Sequence, residues 1–277
     1  MPLTGAQSVL KKMLPAKMFR FVYNIASGGY VIWIKILDNL YYFFARIYYL
    51  LIHNREKLAR IKRIKKIRKY SMVGRAGMFW THDIAAEAEK QMVDGCFVEC
   101  GVARGGCAAL MALVVADHNS DRNLWLFDSF EGLSEPTAED EYQESLRYKP
   151  DDRSSDLVAP GYCLGTYEEV EELLFEKLGL SRDNIFMVKG WFQDTLPEYR
   201  GKIGPIAVLR IDGDWYESTK CCLENLYDNV ITGGSVIIDD YESYIGAKKA
   251  TDEFIKDRNI KAVLSFDGRG GCYFTKP

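Results

Sequence analysis

The chain has 277 residues, of which 48% are hydrophobic and 27% charged, with a formal net charge of −3. This composition excludes collagen-like, low-complexity and disulfide-scaffold classes and leaves room for one large globular domain with an appendage. The small net charge hides an asymmetry: residues 1–70 carry 15 Lys/Arg against Asp38 and Glu56, a net +13, whereas residues 71–277 carry 21 Lys/Arg against 37 acids, a net −16. Opposite signs predict two parts, 1–70 and 71–277, with different partners.

Met1 to Arg20 is interrupted by Lys11, Lys12, Pro15 and Lys17, so no cleavable signal peptide is expected. Phe21 to Ile52 is apolar and aromatic, with Trp33, Phe43 and Phe44 among its rings, but Lys35, Asp38 and Arg46 break it. A spanning helix needs ~20 mostly apolar residues. Spanning, lying on a membrane and never meeting one all remain open for this stretch. From Arg55 to Lys69 follow nine basic residues and one acid, while Leu58, Ile61, Ile64, Ile67 and Tyr70 recur every three positions. A narrow apolar stripe on a basic helix predicts contact with an anionic membrane surface. The alternative is packing within the chain or in a homo-oligomer. Seven cysteines without a Cys-x-x-Cys pair predict reduced thiols in a cytoplasmic protein, peripheral to the membrane if the basic segment attaches it.

From Ser71 the pattern is regular α/β. Trp80-Thr81-His82-Asp83 is read as preceding a helix from Ile84 to Met92. A strand at 96–100, a helix at 105–117 and a strand at 124–128 follow. An acidic loop from Glu131 to about Pro160 is long enough to act as a lid. Then come a helix near 166–178, strands at 185–188 and 206–211, a helix near 216–229, a strand at 235–238 and a helix at 246–257. Short strands near 261–266 and 271–275 close the chain as an antiparallel edge. Apolar runs of four to six residues alternating with helices predict a Rossmann-like, mostly parallel sheet covered on both faces.

In such a sheet, ligands sit beyond the carboxyl ends of the strands. Phe97-Val98-Glu99-Cys100-Gly101-Val102-Ala103-Arg104-Gly105-Gly106 is a strand, a glycine turn and a helix start, where backbone N–H groups face a ligand. Asp128 ends the next strand, where such sheets grip a ribose diol. The Glu-x-Gly spacing differs from the dinucleotide Gly-x-Gly-x-x-Gly and suits S-adenosylmethionine, which has no pyrophosphate. The motif alone leaves open a methyltransferase or another Rossmann-like protein. Asp212 and the Asp239-Asp240 pair end neighbouring strands, and their mutual repulsion predicts a divalent cation such as Mg²⁺. Asp214, by contrast, is read as a cap of the helix that follows it.

Four segments carry a resemblance: Asp128-Ser129-Phe130-Glu131-Gly132-Leu133; Gly190-Trp191-Phe192-Gln193-Asp194-Thr195-Leu196-Pro197; Asp212-Gly213-Asp214-Trp215-Tyr216-Glu217-Ser218-Thr219; and Gly233-Gly234-Ser235-Val236-Ile237-Ile238-Asp239-Asp240-Tyr241. In this order they resemble the macrocin O-methyltransferase (TylF-type) family from about Gly74 to the C-terminus. The resemblance implies a class I methyltransferase fold and Mg²⁺-dependent methyl transfer from S-adenosylmethionine to a hydroxyl, on sugars in known members. Carried over by position, Glu99 and Gly101 would lie along the methionine end of the cofactor. Asp128 would bind the ribose hydroxyls with Ser129 beside it. Trp191, Phe192 and Gln193 would border the adenine, and Asp212, Asp239 and Asp240 would hold the metal.

The chain departs from the pattern in one respect. Sugar-modifying members carry a histidine in the loop after Asp-Ser-Phe, yet here the histidines are His53, His82 and His118. A histidine base from that loop is absent, which leaves the acceptor's identity open; Asp212, the candidate catalytic residue, could also accept the proton, and His82 is a weaker candidate for touching substrate. The expected partner is a small hydroxyl-bearing acceptor, with a sugar favoured. Competing readings are a nucleic-acid methyltransferase using the basic helix as an arm, disfavoured by the acidic catalytic part, and a non-catalytic binding protein on the same fold.

Overall fold

The computed structural model describes residues 33, 36–140 and 163–277. The chain separates into two compact units, one made up of the N-terminal residues to Lys65 and the other beginning at Lys66.

In the first unit, residues 36–51 form helix α1. Its apolar side chains are largely solvent-facing, with Phe44 62% and Leu51 72% exposed. Helix α2, Arg55–Ile67, follows. Its predicted stripe exists, but Ile61, Ile64 and Ile67 are buried. Protein therefore occupies the face expected to meet lipid, and the exposed positions of the helix are Arg55, Glu56, Lys57, Lys62, Lys65 and Lys66. Among the described residues, no helix is long and apolar enough to cross a membrane.

The second unit is built on seven strands: β1 Cys96–Cys100, β2 Leu124–Asp128, β3 Ile185–Lys189, β4 Ile206–Ile211, β5 Val230–Ile238, β6 Ser265–Phe266 and β7 Cys272–Thr275. Their order in the sheet is β3-β2-β1-β4-β5-β7-β6. The first five are parallel, and β7 runs antiparallel to β5 and β6. β1 and β4 are buried at every position, Glu99 and Arg210 included, as central strands covered on both faces are. The order reverses between β1 and β4, and crevices form at such switch points. This is the predicted Rossmann-like α/β sheet with its antiparallel C-terminal edge.

The helices are α3 Arg75–Lys90, α4 Gly106–Asp117, α5 Tyr167–Glu171, α6 Phe192–Ile203, α7 Tyr216–Leu226 and α8 Ile245–Asp257. α5 begins with a capping box between Thr166 and Glu169 and runs into a π-helix at Glu172–Lys177.

Three elements differ from the sequence reading. α3 starts at Arg75, so Trp80–Asp83 lies inside the helix and not before it. There Thr81 bonds back to the Gly77 carbonyl at 2.9 Å, and both Thr81 and His82 are buried. Tertiary burial outweighs the weak helix propensity of Thr and Gly. α6 has no counterpart in the sequence reading, and the helix contains Pro197. β5 starts five residues early, because a register shift against β4 absorbs Gly233 at φ 85°.

Candidate active site

The carboxyl ends of β1, β2, β4 and β5 open into a cavity of about 580 Å³. Its walls include Gly101, Asp128, Trp191, Asp212, Asp214 and Asp240. The turn after β1 is shaped by backbone constraints. Gly101 has φ 91°, and a Cβ there would sit 1.8 Å from the Asp212 carbonyl oxygen. Only glycine lets the β1 and β4 tips come this close. The Asp212 N–H donates to Cys100 O at 2.8 Å and locks the two tips together. Gly105, at φ 81°, is the N-cap of α4.

Asp128 braces this turn from β2. Its Oδ2 accepts the N–H groups of Val102 and Ala103 at 2.7 and 2.9 Å, and its Oδ1 accepts that of Phe130 at 2.7 Å. Burial raises its pKa, and those three bonds oppose the rise. A carboxylate has about four lone-pair sites, so one remains for a ligand hydroxyl. Ser129 Oγ donates to Gly132 O at 3.0 Å and accepts from Glu131 N–H at 3.1 Å, which makes it a brace of the next turn. Trp191, the N-cap of α6, and its neighbours Phe192 and Gln193 line the cavity. A polar anchor facing flat apolar side chains suits a nucleoside.

Glu99 behaves differently. It is 1% exposed and absent from the cavity wall. Its Oε1 accepts from Arg210 Nη1 at 3.0 Å, while Oε2 is buried with no hydrogen-bond partner. Burial pushes its carboxyl up to about 8 against the pull of Arg210.

The acids at the far end come together, with a change of membership. Carboxylate oxygens of Asp212, Asp214 and Asp240 all lie within 4.8 Å of one another. Asp239 lines the same cavity, but its Oδ1 accepts from Arg210 Nη2 at 2.6 Å. Asp214 is not a cap: the N-cap of α7 is Trp215, without a side-chain bond, and Asp214 sits at φ 55°. Burial first, and then the neighbouring carboxylates, push Asp214 and Asp240 well above the usual carboxylate range. Burial and Asp212 lift Asp239 to about 7. Asp240 Oδ2 is buried without a hydrogen-bond partner. Clustered hard oxygens, one of them orphaned, fit Mg²⁺ or a similar cation.

The first third of the predicted lid is pinned. Trp215 Nε1 donates to Ser134 O at 2.9 Å, Asp140 accepts the Tyr216 N–H at 2.7 Å, and Glu139 pairs with Lys249. These contacts carry Leu133, Ser134, Glu135 and Thr137 into the cavity wall. The rest of that loop lies outside the described residues. His82 is buried against Asp83 and is not part of the wall. All seven cysteines are free thiols.

Sequence reasoning missed Arg210 and Asp214. A charged residue inside the apolar run Ile206–Ile211 was the available signal for Arg210.

The profile of the macrocin-O-methyltransferase (TylF) family matches residues 56–276. Demethyldecarbamoylnovobiocin O-methyltransferase of Streptomyces niveus is 38% identical over 185 residues, which are 66% of this chain and 67% of the relative. The 8-demethyl-8-(2,3-dimethoxy-alpha-L-rhamnosyl)-tetracenomycin-C 4'-O-methyltransferase of Streptomyces olivaceus is 41% identical over 150 residues, 54% of each chain. The solved structure of the O-methyltransferase NovP superposes with a TM-score of 0.63 at 35% identity, covering 75% of this chain and 82% of that one. The chain belongs to the macrocin-O-methyltransferase (TylF) family and is an O-methyltransferase.

Proposed function

We propose that the enzyme methylates a hydroxyl of a sugar or another small diol-bearing acceptor, with a divalent cation at the Asp212, Asp214 and Asp240 cluster. The observation that carries this reading is the meeting of those three carboxylates within 4.8 Å, in the same cavity as Asp128 and Trp191. The sugar acceptor is supported by the Streptomyces olivaceus relative, which is named for a rhamnosyl substrate.

S-adenosylmethionine would supply the methyl group, and Mg²⁺ would supply the Lewis acidity that lowers the pKa of the acceptor hydroxyl. Asp128 grips the ribose, with Gly101 leaving room for the methionine end. Ser129 holds the adjacent turn, and Trp191, Phe192 and Gln193 border the adenine. Asp212 would face the acceptor and take its proton as the methyl C–O bond forms and the sulfonium S–C bond breaks, with S-adenosylhomocysteine as the leaving group. Asp239 completes the acidic wall with the oxygen that Arg210 leaves free. Pinning the 133–137 strip fixes one side of the acceptor site, and such positioning contributes several kcal/mol to the rate.

Incubation with methyl-labelled S-adenosylmethionine and a panel of glycosides, with and without Mg²⁺, tests the reading. Labelled glycoside that requires the metal supports it, and undiminished transfer in excess chelator removes the metal from it.

The N-terminal unit is proposed to hold the enzyme on an anionic membrane. Support comes from the exposed aromatic helix α1 beside the exposed basic face of α2.

A further inference from the structure

We infer that Arg210 is a positioning residue for the acidic reaction centre, and that Glu99 acts through Arg210 and does not touch the cofactor. The inference rests on the proposed metal site and extends it one layer into the sheet.

The arrangement follows from strand register. Glu99 on β1 and Ile237 on β5 both stand opposite Arg210 on β4. Side chains two residues apart on a strand share a face. Asp212 therefore lies one step beyond Arg210 toward the cavity, and Asp239 one step beyond Ile237. The arginine sits beneath the cavity floor with Glu99 level beside it and two of the floor's carboxylates above it.

Distances confirm the layering. Nη1 donates to Glu99 Oε1 at 3.0 Å and to Asp212 Oδ2 at 2.9 Å, Nη2 donates to Asp239 Oδ1 at 2.6 Å, and Nε donates to Thr81 Oγ1 at 3.3 Å. The guanidinium is 0% exposed. A buried cation persists only when its donors are met by well-placed acceptors. Here three strand ends and helix α3 provide them. A planar fork serves several acceptors at fixed angles, which a lysine ammonium cannot do.

The consequence is a division of each upper carboxylate. Arg210 holds one oxygen of Asp212 and one of Asp239, and so fixes the direction of the other oxygen, toward the cavity. Glu99 shares Nη1 with Asp212. With its charge removed, the guanidinium would draw harder on Asp212 and compete with a cation for that side chain.

The test separates the two ligands. Full-length wild type, Arg210→Lys and Glu99→Gln are titrated calorimetrically with Mn²⁺ and, separately, with S-adenosylmethionine, after circular dichroism has shown that each is folded. Both variants should raise the Mn²⁺ dissociation constant at least tenfold and leave that for S-adenosylmethionine within threefold. Arg210→Lys should also lower kcat far more than it raises KM for the methyl donor. The nearly isosteric Glu99→Gln decides the matter if Arg210→Lys does not fold. Wild-type Mn²⁺ affinity in a folded variant would overturn the inference. A tenfold loss of S-adenosylmethionine affinity in Glu99→Gln would do the same, since it would put Glu99 on the cofactor. Wild type that binds no Mn²⁺ would end the metal reading itself and the role of Arg210 with it.

Discussion

Asp128 at the tip of β2 accepts the Val102 N–H at 2.7 Å and so ties the second strand to the turn after the first. With its bonds to Ala103 and Phe130, one carboxylate organises two turns of the cofactor cleft. Asp128→Ala would leave three N–H groups without their acceptor, in addition to losing any ribose contact. Hydrogen bonds to a charged group are worth ~1.5–3 kcal/mol each, though not additively. S-adenosylmethionine affinity should fall by about tenfold or more, the equivalent of ~1.4 kcal/mol, and the melting temperature should fall as well. Asp128→Asn keeps an acceptor oxygen and should lie between. Calorimetric titration with unchanged affinity in Asp128→Ala would take this residue out of the cofactor site.

Asp240 has a buried oxygen without a hydrogen-bond partner and two acidic neighbours. Asp240→Asn preserves its shape and removes a charge. Metal affinity should drop on the order of 10–100-fold or more, the range that even an outer partner of a metal ligand costs. Turnover should follow the metal, with partial recovery at high Mg²⁺ concentration. The apo protein should be at least as stable as wild type, because burial and like charges already disfavour the ionised form. A variant with full turnover at wild-type Mg²⁺ dependence would sink the role given to Asp240.

The raised carboxyls also set a pH dependence. Asp239 and Glu99 are lifted to about 7 and about 8, against ~4 for unfolded carboxylates. Between those limits the folded state binds more protons than the unfolded one. Stability of the metal-free protein must therefore fall as pH rises through that window. Mg²⁺ competes with these protons, so its stabilising effect should grow over the same range, reaching about 2.7 kcal/mol at a concentration 100 times its dissociation constant. Scanning calorimetry at about pH 5 and about pH 8, with and without Mg²⁺, checks both signs. A Mg²⁺ effect larger at the acid end would contradict the acidic cluster as its site.

Much of the site was legible in the sequence because strand tips are. Leu124–Asp128 and Ile206–Ile211 are continuous apolar runs that end at an acid or just before one, and the parallel sheet puts those acids on one edge. Less legible were the features that depend on which side chains meet across strands. Arg210 reads locally as a flaw in an apolar strand, and only the register opposite Glu99 shows its purpose. Asp214 has the sequence of a helix cap, but its left-handed backbone turns it into the cluster and leaves capping to Trp215. Helix α6 was hidden by Pro197, a breaker by propensity that burial of Thr195 and Leu196 overrides.

The N-terminal unit yields the last prediction. Helix α1 exposes Phe43, Phe44, Tyr48 and Leu51, and clustered exposed apolar side chains mark an interaction surface. Helix α2 points Lys57, Lys62, Lys65 and Lys66 outward while its isoleucines are buried. Lipid contact thus falls to the rings of α1, and α2 contributes charge alone. Each basic residue near an anionic surface adds ~1 kcal/mol, screened over ~8 Å at physiological ionic strength. Full-length protein should float with vesicles containing anionic lipid. Added salt should weaken but not abolish flotation, because the buried rings do not respond to screening. Replacing Phe43, Phe44 and Leu51 together by Ser should leave only the salt-sensitive part. Equal flotation with neutral and anionic vesicles would remove the basic face of α2 from the account. If the triple variant floats as wild type does, or if wild type proves to be a dimer that the variant converts to monomer without any vesicle binding, the α1 surface serves self-association or another role and not lipid.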